Sequence, residues 1–525
     1  MTTRSSRMPN HALLRPLDPG RPLQRQIQER IVEAILSGAI VSHEPLPATR
    51  VMARQLSVSR NTVTLVYEKM AEDGYLTAVE RRGYFVDERF LRLSAETRRA
   101  AMGPFNPDRP ADARPSGWAR HMRLRPSHQP NIRKPTDWQR FPYPFVYGQV
   151  AADPVSLTKW RDCIHQAGRA EHLKSLMTDL VDADDPLLIE QIIRRILPRR
   201  GIRAGADEIL VTIGSQNAVY LVSRLFCGPG TRVAFENPGY VDARNIFELD
   251  GAEIVDLPVD ASGARPNQRL DDCDLVYVTP SHQAPTNVTM TMQRRLALLQ
   301  AAERHDLLIV EDDYEHELNH VGPRQHALRG YDRSGRVLHA GSLSKPVFPG
   351  LRLGFIVAAP EVIVELRALR RLMYRHPSAL DQRAMALFMS EGHYDAHIRR
   401  QQDMLARRWT TMLGEIERQL PDCEATMTTG GSALWLRLPE GIAAGAFQAE
   451  AARHGAVVEV GDIHFRQPRP EHNFLRLGFG PIDNARIPAG IAALRQALDA
   501  CLAARNRAPP RPEEPRVEER DAGAQ

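Results

Sequence analysis

The sequence predicts an α/β protein in two parts, and three patterns along the chain support that prediction. Residues 15–90 contain apolar stripes at helical spacing, followed by a short alternating segment. Residues 141–503 alternate β-branched runs with helical patterns, which is typical of a large, mostly parallel sheet. Residues 91–140 hold seven prolines and little apolar periodicity, and therefore predict a linker. Residues 504–525 are rich in proline and charge and predict a disordered tail.

The first part is predicted to form three helices and a hairpin. An apolar stripe from Leu23 to Ile35 marks the first helix, and a second, shorter helix lies near residues 48–56. A third helix follows Ser59, whose side chain is well placed to cap it. Residues 75–86 then alternate around Arg82–Gly83, which is the pattern of a β-wing.

This order of elements predicts a DNA-binding module, because a helix, turn, helix and wing place one helix N-terminus in the major groove. Arg60, Asn61 and Thr62 lie on the polar face of the third helix and can reach base edges. Arg50 and Arg54 can reach phosphates. A three-helix block that only packs against another domain has the same spacing, so this alternative stays open.

Charge is distributed unevenly along the chain. Residues 1–140 contain 24 Lys/Arg against 14 Asp/Glu, whereas residues 141–525 contain 45 against 50. A basic front on a mildly acidic body favours a polyanion as the partner of the front. A solvated, arginine-rich linker explains the same excess, and charge alone does not separate the two interpretations.

Composition argues against several other classes of protein. The five cysteines are scattered and never spaced C-x-x-C, so neither a disulfide framework nor a metal site is predicted. No apolar run reaches the roughly 18–20 residues of a membrane helix. The first sixteen residues also lack the apolar core of a signal peptide. We expect a cytoplasmic protein without a membrane partner.

Six strands are predicted in the second part, with helical patterns between most of them. They are residues 209–212, 233–236, 254–257, 275–279, 307–310 and 337–340. Ligands of such sheets bind beyond the carboxyl ends of the strands, and three polar clusters follow strands here. These clusters are Gly214–Ser215–Gln216, Glu311–Asp312–Asp313–Tyr314 and Ser342–Leu343–Ser344–Lys345.

Together the three clusters favour a pyridoxal 5′-phosphate site, which needs an amine for the aldehyde, an acid for the ring nitrogen and anion donors for the phosphate. The turn before Ser215 offers backbone amides and a helix dipole. Asp312 and Tyr314 share one side of an extended strand. Lys345 follows two serines, with Arg352 seven residues further on. Each cluster alone has a plainer explanation: a common strand–helix turn, acidic residues that end a buried strand, or a solvated lysine.

One N-terminal run is specific enough to compare with known families: PLQRQIQERIVEAILSG…LPATRVMARQLSVSRNTVTLVYEKMAEDGYL. It resembles the winged helix-turn-helix of GntR-type bacterial regulators along nearly its whole length. The resemblance implies that five residues contact DNA: Arg50, Ser59, Arg60, Asn61 and Thr62. It also implies that the wing tip, Arg82–Gly83, probes the minor groove. The wing of these regulators usually carries two glycines, and Arg81 stands where the other would be.

The second part carries five motifs in order: GSQN, ENPGY, TPSHQAPTN, EDDYEHE and GSLSKPVFPGLRLGF. From about Phe145 to Leu498 it resembles the fold-type I aminotransferases, in which a small C-terminal α+β subdomain accompanies the large sheet. Joined to the upstream winged helix, the chain is similar to the MocR-type regulators of the GntR family. The resemblance implies an effector domain that binds pyridoxal 5′-phosphate.

The resemblance also implies a role for nine residues of this domain. Lys345 forms the Schiff base with the cofactor, Asp312 pairs with the pyridine nitrogen, and Tyr314 hydrogen-bonds the phenolic oxygen. Tyr240 stacks on the ring, and Arg476, in NFLRLGFG, matches the arginine that grips a substrate carboxylate. The phosphate is held by Ser215, Gln216, Ser342 and Arg352. Without the motif context, Tyr240 also fits a core residue and Arg476 a surface charge.

Two departures from the family pattern bear on activity. Members usually carry Tyr-x-x-x-x-Gly followed by Leu-Arg at the positions that here hold Leu180, Asp185, Ile189 and Glu190. That tyrosine reaches the cofactor of the partner subunit, so one phosphate contact is missing and efficient transamination is not expected. In PTN, Asn287 replaces the usual glycine, and asparagine tolerates left-handed backbone, so the turn is expected to survive.

The expected function is a pyridoxal-phosphate-dependent transcription regulator, rather than an enzyme, that senses an amino compound by transaldimination at Lys345. Its expected partners are a double-stranded DNA operator, a second copy in a homodimer, and an effector that is ectoine-derived or taurine-like. One alternative is a working aminotransferase with an accessory DNA-binding module, for which amino-acid turnover is diagnostic. Another is a direct sensor of pyridoxal phosphate that controls vitamin B6 synthesis, for which switching by cofactor alone is diagnostic.

Overall fold

The computed structural model describes residues 17–90 and 117–507, with short gaps. The gaps are residues 19, 37–39, 41–44, 150, 152, 173–176, 178, 180, 323–324 and 429. The chain divides into two compact units, residues 1–122 and residues 123–525. Of the predicted linker, residues 91–116 lie outside the described residues, as does the tail from residue 508 onwards.

The first unit has the helices and hairpin that its sequence predicts. Its elements are helices α1 (Leu23–Leu36), α2 (Thr49–Leu56) and α3 (Arg60–Glu72) and strands β1 (Leu76–Val79) and β2 (Gly83–Val86). Ile31 from α1, Met52 from α2 and Met70 from α3 are buried in one core, as the apolar spacing of each helix requires. Ser59 caps α3, since its hydroxyl accepts a hydrogen bond from the Thr62 backbone N–H at 3.1 Å.

The wing is an antiparallel hairpin in which Val79 pairs with Gly83. Arg81, at the turn, has a φ of +59°, so it takes the left-handed backbone that glycine adopts at no steric cost. The guanidinium of Arg82 lies 5.4 Å from the centre of the Phe85 ring. The wing therefore keeps its turn without the second glycine, at a backbone cost of roughly 1–2 kcal/mol.

The second unit is built on a mostly parallel sheet, as predicted. Its strands are β3 (Tyr143–Pro144), β4 (Ile209–Thr212), β5 (Arg232–Asn237), β6 (Glu253–Asp260), β7 (Gly263–Ala264), β8 (Leu275–Val278), β9 (Leu308–Asp313), β10 (Val337–Ser342), β11 (Gly354–Val357), β12 (Glu424–Ala425), β13 (Ala433–Arg437), β14 (Ala456–Val457), β15 (Glu459–Val460) and β16 (Phe474–Gly478). Among the described residues, eight strands form one sheet in the order β4–β11–β10–β9–β8–β5–β6–β7. The pairs from β10 through β9, β8 and β5 to β6 are parallel, whereas β11 runs antiparallel between β10 and β4.

Helices and strands of this unit alternate along the chain. The helices are α4 (Pro154–Ala167), α5 (Pro186–Gln191), α6 (Ser215–Phe226), α7 (Val241–Leu249), α8 (Met292–His305), α9 (Leu328–Tyr331), α10 (Pro360–Met373), α11 (Ala379–Ser390), α12 (His393–Gln419), α13 (Ala444–Arg453) and α14 (Ile487–Arg507). Neighbouring residues of β4 enter different cores: Leu210 packs in one, and Ile209 and Val211 pack in another. Both faces of the sheet are therefore covered, as in other parallel sheets.

A smaller antiparallel sheet, in the order β12–β13–β16–β15, forms the predicted C-terminal subdomain. Leu434, Phe447 and Leu475 are fully buried in its core. The sequence predicts no membrane span, yet residues 484–507 have the length and apolar composition of one. This segment contains α14, whose Ile491 is fully buried in the same core, so packing inside the protein explains its apolar face. Helix α14 also continues past the predicted domain end at residue 503.

Candidate cofactor and effector site

A cavity of about 320 Å³ lies where β9 and β10 end and α6 begins. All nine side chains that the sequence assigns to the cofactor or the effector line it. They are Ser215, Gln216, Tyr240, Asp312, Tyr314, Ser342, Lys345, Arg352 and Arg476. This is the position where open α/β sheets bind ligands, because the helices and loops that follow parallel strands meet at one edge.

Lys345 lies in the turn after β10, where its backbone N–H donates a hydrogen bond to the Ser342 hydroxyl at 3.2 Å. Its Nζ is 4.0 Å from the centre of the Tyr147 ring and 4.7 Å from that of Tyr314. Burial lowers the pKa of Lys345 to about 8. At pH 7, about a tenth of this amine is therefore unprotonated, against about 0.03% for an exposed lysine.

Asp312 is buried at the end of β9 and has one bonded and one unbonded carboxylate oxygen. The Tyr277 hydroxyl donates to Oδ2 at 2.8 Å, whereas Oδ1 has no hydrogen-bond partner among the described residues. Burial raises the pKa of Asp312 to about 6. A buried acceptor of this kind is expected to have a partner, and a protonated ring nitrogen supplies one.

The acidic run in which Asp312 stands is divided by the alternation of β9. Asp312 lines the cavity, whereas Asp313 accepts a hydrogen bond from Arg200 at 2.6 Å. Glu311 lies 2.9 Å from the Nδ1 atom of His339. Two of the three acids are thus paired with basic side chains outside the cavity lining, and one is left for a ligand.

The N-terminus of α6 lies at one end of the cavity. Gly214 precedes this helix with a φ of +91° and, as a glycine, has no side chain with which to cap the helix start. Arg352 covers the same turn, since its Nη2 donates to the Ile213 carbonyl at 3.3 Å. A Cβ on Gly214 would lie 2.9 Å from that nitrogen, so only glycine allows the guanidinium to approach so closely. Free helix N–H groups, an arginine and the hydroxyls of Ser215 and Ser342 fit a phosphate.

Two predicted tyrosines have hydroxyl groups that bond within the protein. Tyr314 donates to the His282 carbonyl at 2.8 Å, so a hydrogen bond to a cofactor oxygen requires this hydroxyl to change its acceptor. Tyr240 donates to Asp242 Oδ2 at 3.2 Å. The same oxygen accepts a hydrogen bond from Gln216 Nε2 at 3.5 Å. Asp242 therefore positions one residue assigned to the ring and one assigned to the phosphate.

Arg476, on β16, is fully buried at another end of the cavity. Its Cζ lies 3.2 Å from the centre of the Tyr147 ring, and its Nη1 lies 3.8 Å from Glu459 Oε1. Glu459 in turn lies 3.0 Å from His464 Nε2. The Nε and Nη2 atoms of Arg476 have no hydrogen-bond partner among the described residues. Unpaired guanidinium donors in a cavity fit an acidic ligand group.

The further residues that shape this site include Tyr147, Asp242, Tyr277 and Glu459, and none of these four is predicted from the sequence. Tyr277 could have been found as the one hydroxyl-bearing residue in the buried strand LVYV, and Glu459 as a charge inside the apolar run AVVEV. Tyr147 and Asp242 carry no such local signal.

The departures from the family pattern have different outcomes. Asn287 adopts a φ of +59°, so the turn survives as expected, and its Nδ2 donates to the Ala433 carbonyl at 2.5 Å. Asp185 caps α5, since its Oδ1 accepts from the Leu188 N–H at 3.0 Å. Leu180, at the position of the family tyrosine, lies outside the described residues, so the loss of that phosphate contact stays a prediction.

In the first unit, the predicted DNA contacts lie at the surface. Arg50, Ser59, Arg60 and Asn61 are exposed, Thr62 is half-buried, and Arg82 and Gly83 are exposed at the wing tip. The Nε of Arg60 donates to the Thr49 hydroxyl at 3.4 Å, which brings the starts of α2 and α3 together. This end of the two helices presents polar and cationic groups that suit a DNA groove.

Comparison with known proteins decides the family. Residues 23–86 match the model of bacterial regulatory proteins of the gntR family, and residues 158–494 match the model of aminotransferase class I and II. The chain is 39% identical to the HTH-type transcriptional regulator TauR of Rhodobacter capsulatus, over 91% of this chain and 96% of that protein. It is 32% identical to the probable rhizopine catabolism regulatory protein MocR of Rhizobium meliloti, over 92% and 94%.

The chain is a MocR-type regulator of the GntR family.

The regulator's second unit also matches solved structures. The α-aminoadipate aminotransferase LysN of Thermus thermophilus, complexed with N-(5′-phosphopyridoxyl)-L-leucine, superposes with a TM-score of 0.66 at 25% identity. The match covers 74% of the regulator and 99% of LysN. A kynurenine aminotransferase of Pyrococcus horikoshii gives a TM-score of 0.62 at 25% identity, over 73% and 96%. The fold is that of the fold-type I aminotransferases.

The cofactor of the regulator is pyridoxal 5′-phosphate, and the residues present fit it. Lys345, Asp312 and the start of α6 all line one cavity, and Asp312 Oδ1 has no hydrogen-bond partner among the described residues. These groups match the aldehyde, the ring nitrogen and the phosphate of the cofactor. The regulator is therefore a DNA-binding transcription factor with a pyridoxal-phosphate domain.

We expect Asp312→Asn to remove one source of pH dependence from the cofactor-free protein. Because burial raises the pKa of Asp312 to about 6, its contribution to the free energy of unfolding is present below pH 4 and lost as the pH rises through 6. Between pH 4 and pH values well above 6, the free energy of unfolding falls by about 3 kcal/mol through this group. The amide still accepts from Tyr277 but carries no charge, so the variant should lose this slope and bind the cofactor more weakly. Urea unfolding of the cofactor-free proteins at pH 4, 6 and 8 measures the pH dependence, and titration with cofactor measures the binding. If the free energy of unfolding changes with pH equally in the variant and the wild type, the expectation is wrong.

Proposed function

We propose that this regulator senses a small primary amino compound in the cavity around Lys345 and converts its binding into altered operator binding. One observation carries the proposal. A partly neutral amine, an acid with an unbonded oxygen and a guanidinium with two unbonded nitrogens face the same cavity. These side chains can bind the amine and the acidic group of one small molecule at the same time.

Each side chain has a distinct task in this proposal. When bound, the cofactor would supply an aldehyde to the Lys345 amine, and the effector amine would replace that amine by transaldimination. The released Lys345 amine would take up the proton that the effector ammonium group gives up, and its pKa of about 8 lets it hold this proton at neutral pH. Asp312 would hold the ring nitrogen of the cofactor, and Arg476 would hold the acidic group of the effector, since each has polar atoms without a hydrogen-bond partner among the described residues.

The DNA-binding part of the proposal rests on the first unit. Arg60, Asn61 and Thr62, at the start of α3, read base edges, while Arg50 and the Ser59 end of the helix contact phosphates. The wing tip at Arg82–Gly83 enters the minor groove. The homodimer, the cytoplasmic location and the chemical identity of the effector stay predictions.

A screen of primary amines tests the sensing step in the cofactor-loaded, full-length protein. Taurine, β-alanine and the protein amino acids are added singly, and the visible absorbance of the bound cofactor is recorded. We expect at least one amine to shift this absorbance in the same concentration range in which it changes operator affinity. Release of keto acid is measured in the same samples.

The outcomes separate this proposal from its alternatives. Sustained keto-acid release, with operator affinity unchanged, favours a working aminotransferase. A change in operator affinity on adding cofactor alone, with no further effect of any amine, favours a sensor of pyridoxal phosphate. A cofactor absorbance that responds to no amine overturns the proposal.

A further inference from the structure

The part of the predicted linker that precedes the effector domain is bonded to α7. Asn245, which is buried on this helix, donates from Nδ2 to the Pro130 carbonyl at 2.7 Å. Gln129 donates from Nε2 to the Asn245 carbonyl at 3.2 Å. The linker is therefore held on the effector unit by a reciprocal pair of hydrogen bonds, well before residue 140, where the sequence places its end.

The residues that follow this attachment enter the cavity wall. Ile132, Arg133 and Lys134 line the same cavity as Lys345 and Arg476. Arg133 and Lys134 are exposed, so their charges stand at the outer side of the cavity rather than in its buried interior. We call residues 129–134 the linker arm. The segment that leads to the DNA-binding unit thus forms part of the ligand site itself.

Helix α7 is also hydrogen-bonded to the loop beside Arg476, at the buried end of the cavity. Arg244 on α7 donates to the carbonyls of Ile463 and His464 at 3.2 and 3.3 Å. The ring of His464 lies 3.0 Å from Glu459, which is the carboxylate beside Arg476. Helix α7 consequently contacts both the loop behind Arg476 and the linker arm.

We propose that the linker arm is the outer wall of the effector pocket, and that Arg133 and Lys134 bind an acidic group at the end of the effector that lies away from its amine. The effector then contacts the linker directly, and occupancy of the pocket fixes the linker arm. This inference rests on the proposed function, because it assumes that an amine binds at Lys345. Two cations at the mouth favour an acidic outer group through charge-assisted hydrogen bonds.

Two amino acids that differ only in an outer carboxylate test the charge preference: L-aspartate and L-alanine. Each is titrated into the cofactor-loaded, full-length protein, and the cofactor absorbance gives the concentration of half-response. For the double variant Arg133→Ala/Lys134→Ala, we expect the half-response concentration to rise at least tenfold more for L-aspartate than for L-alanine. The double variant Arg123→Ala/Arg140→Ala removes the same charge from exposed positions outside the cavity lining and should behave like the wild type.

Hydrogen exchange of residues 129–134 tests the coupling to the linker. We expect L-aspartate to slow exchange in this segment at least threefold in the wild type, and Asn245→Ala to remove that protection by releasing Pro130. Two outcomes overturn this inference alone. In one, L-aspartate changes the cofactor absorbance of the wild type but leaves hydrogen exchange in the linker arm unchanged. In the other, Arg133→Ala/Lys134→Ala discriminates between the two amino acids as the wild type does. A cofactor absorbance that responds to neither amino acid nor to any other amine overturns the proposed function with it.

Discussion

Replacing Lys345 with alanine is expected to abolish covalent attachment of pyridoxal 5′-phosphate to the regulator. Lys345 is a buried lysine that lines the cavity, and burial lowers its pKa to about 8, so it is both placed and partly neutral for reaction with an aldehyde. The visible absorbance of lysine-bound cofactor should disappear. Mass spectrometry after borohydride reduction and unfolding should find no cofactor on the chain.

The exposed Lys159 on α4 offers a matched control, because Lys159→Ala removes a lysine that is not part of the cavity lining. Operator binding by Lys345→Ala in the absence of amine should remain measurable, since the DNA contacts are assigned to the first unit. Retention of the lysine-bound absorbance in purified Lys345→Ala would refute the assignment of this residue.

Arg60→Ala is expected to weaken operator binding by about 1–3 kcal/mol, which corresponds to roughly 5- to 150-fold in affinity. Arg60 is exposed at the start of α3, and its hydrogen bond to Thr49 holds it near the start of α2. A base-contacting arginine contributes discrimination as well as affinity, so the preference for the operator over unrelated DNA should fall too. Footprinting and titration at one fixed salt concentration measure both effects.

Arg25→Ala provides the comparison for this variant. Arg25 is an exposed arginine of the same unit, but it lies on α1 and forms an ion pair with Glu29 at 3.0 Å. Its loss changes the overall charge equally and should alter affinity far less. Equal affinity and site choice for Arg60→Ala and the wild type would show that α3 is not the recognition helix. Cofactor absorbance should be unaffected in both variants.

Much of the fold could be predicted because its signals are local. The stripe on α1, the cap at Ser59 and the alternation around the wing lie within a few residues of each other. The same is true of the buried runs that became β4 and β8. Strand β11 was not predicted. It runs antiparallel in a parallel sheet, and its pairing with β4 depends on contacts between residues far apart in sequence.

The candidate site divides in the same way. Residues at or just after the ends of strands, such as Asp312 and Lys345, could be placed because strand ends meet at one edge of the sheet. Tyr147 and Glu459 could not, since they reach the cavity from a segment before the first helix of the domain and from the C-terminal subdomain. Nothing local to either residue records that contact. The linker arm was missed for a related reason: proline-rich, polar sequence indicates an extended chain but not the surface on which it rests.

Under the proposed function, the Glu459 carboxylate beside Arg476 affects which ligands the cavity accepts. At 3.8 Å from the guanidinium, it acts as a built-in competitor for any acidic group that enters the cavity. An anion without an amine would have to compete with Glu459 for Arg476 and would form no covalent bond in return. Such an anion would therefore bind weakly in the cavity. Under the proposed function, an amino compound also bonds through its amine, and this second interaction offsets the competition. The internal carboxylate would therefore make the cavity selective for amino compounds over anions that lack an amine.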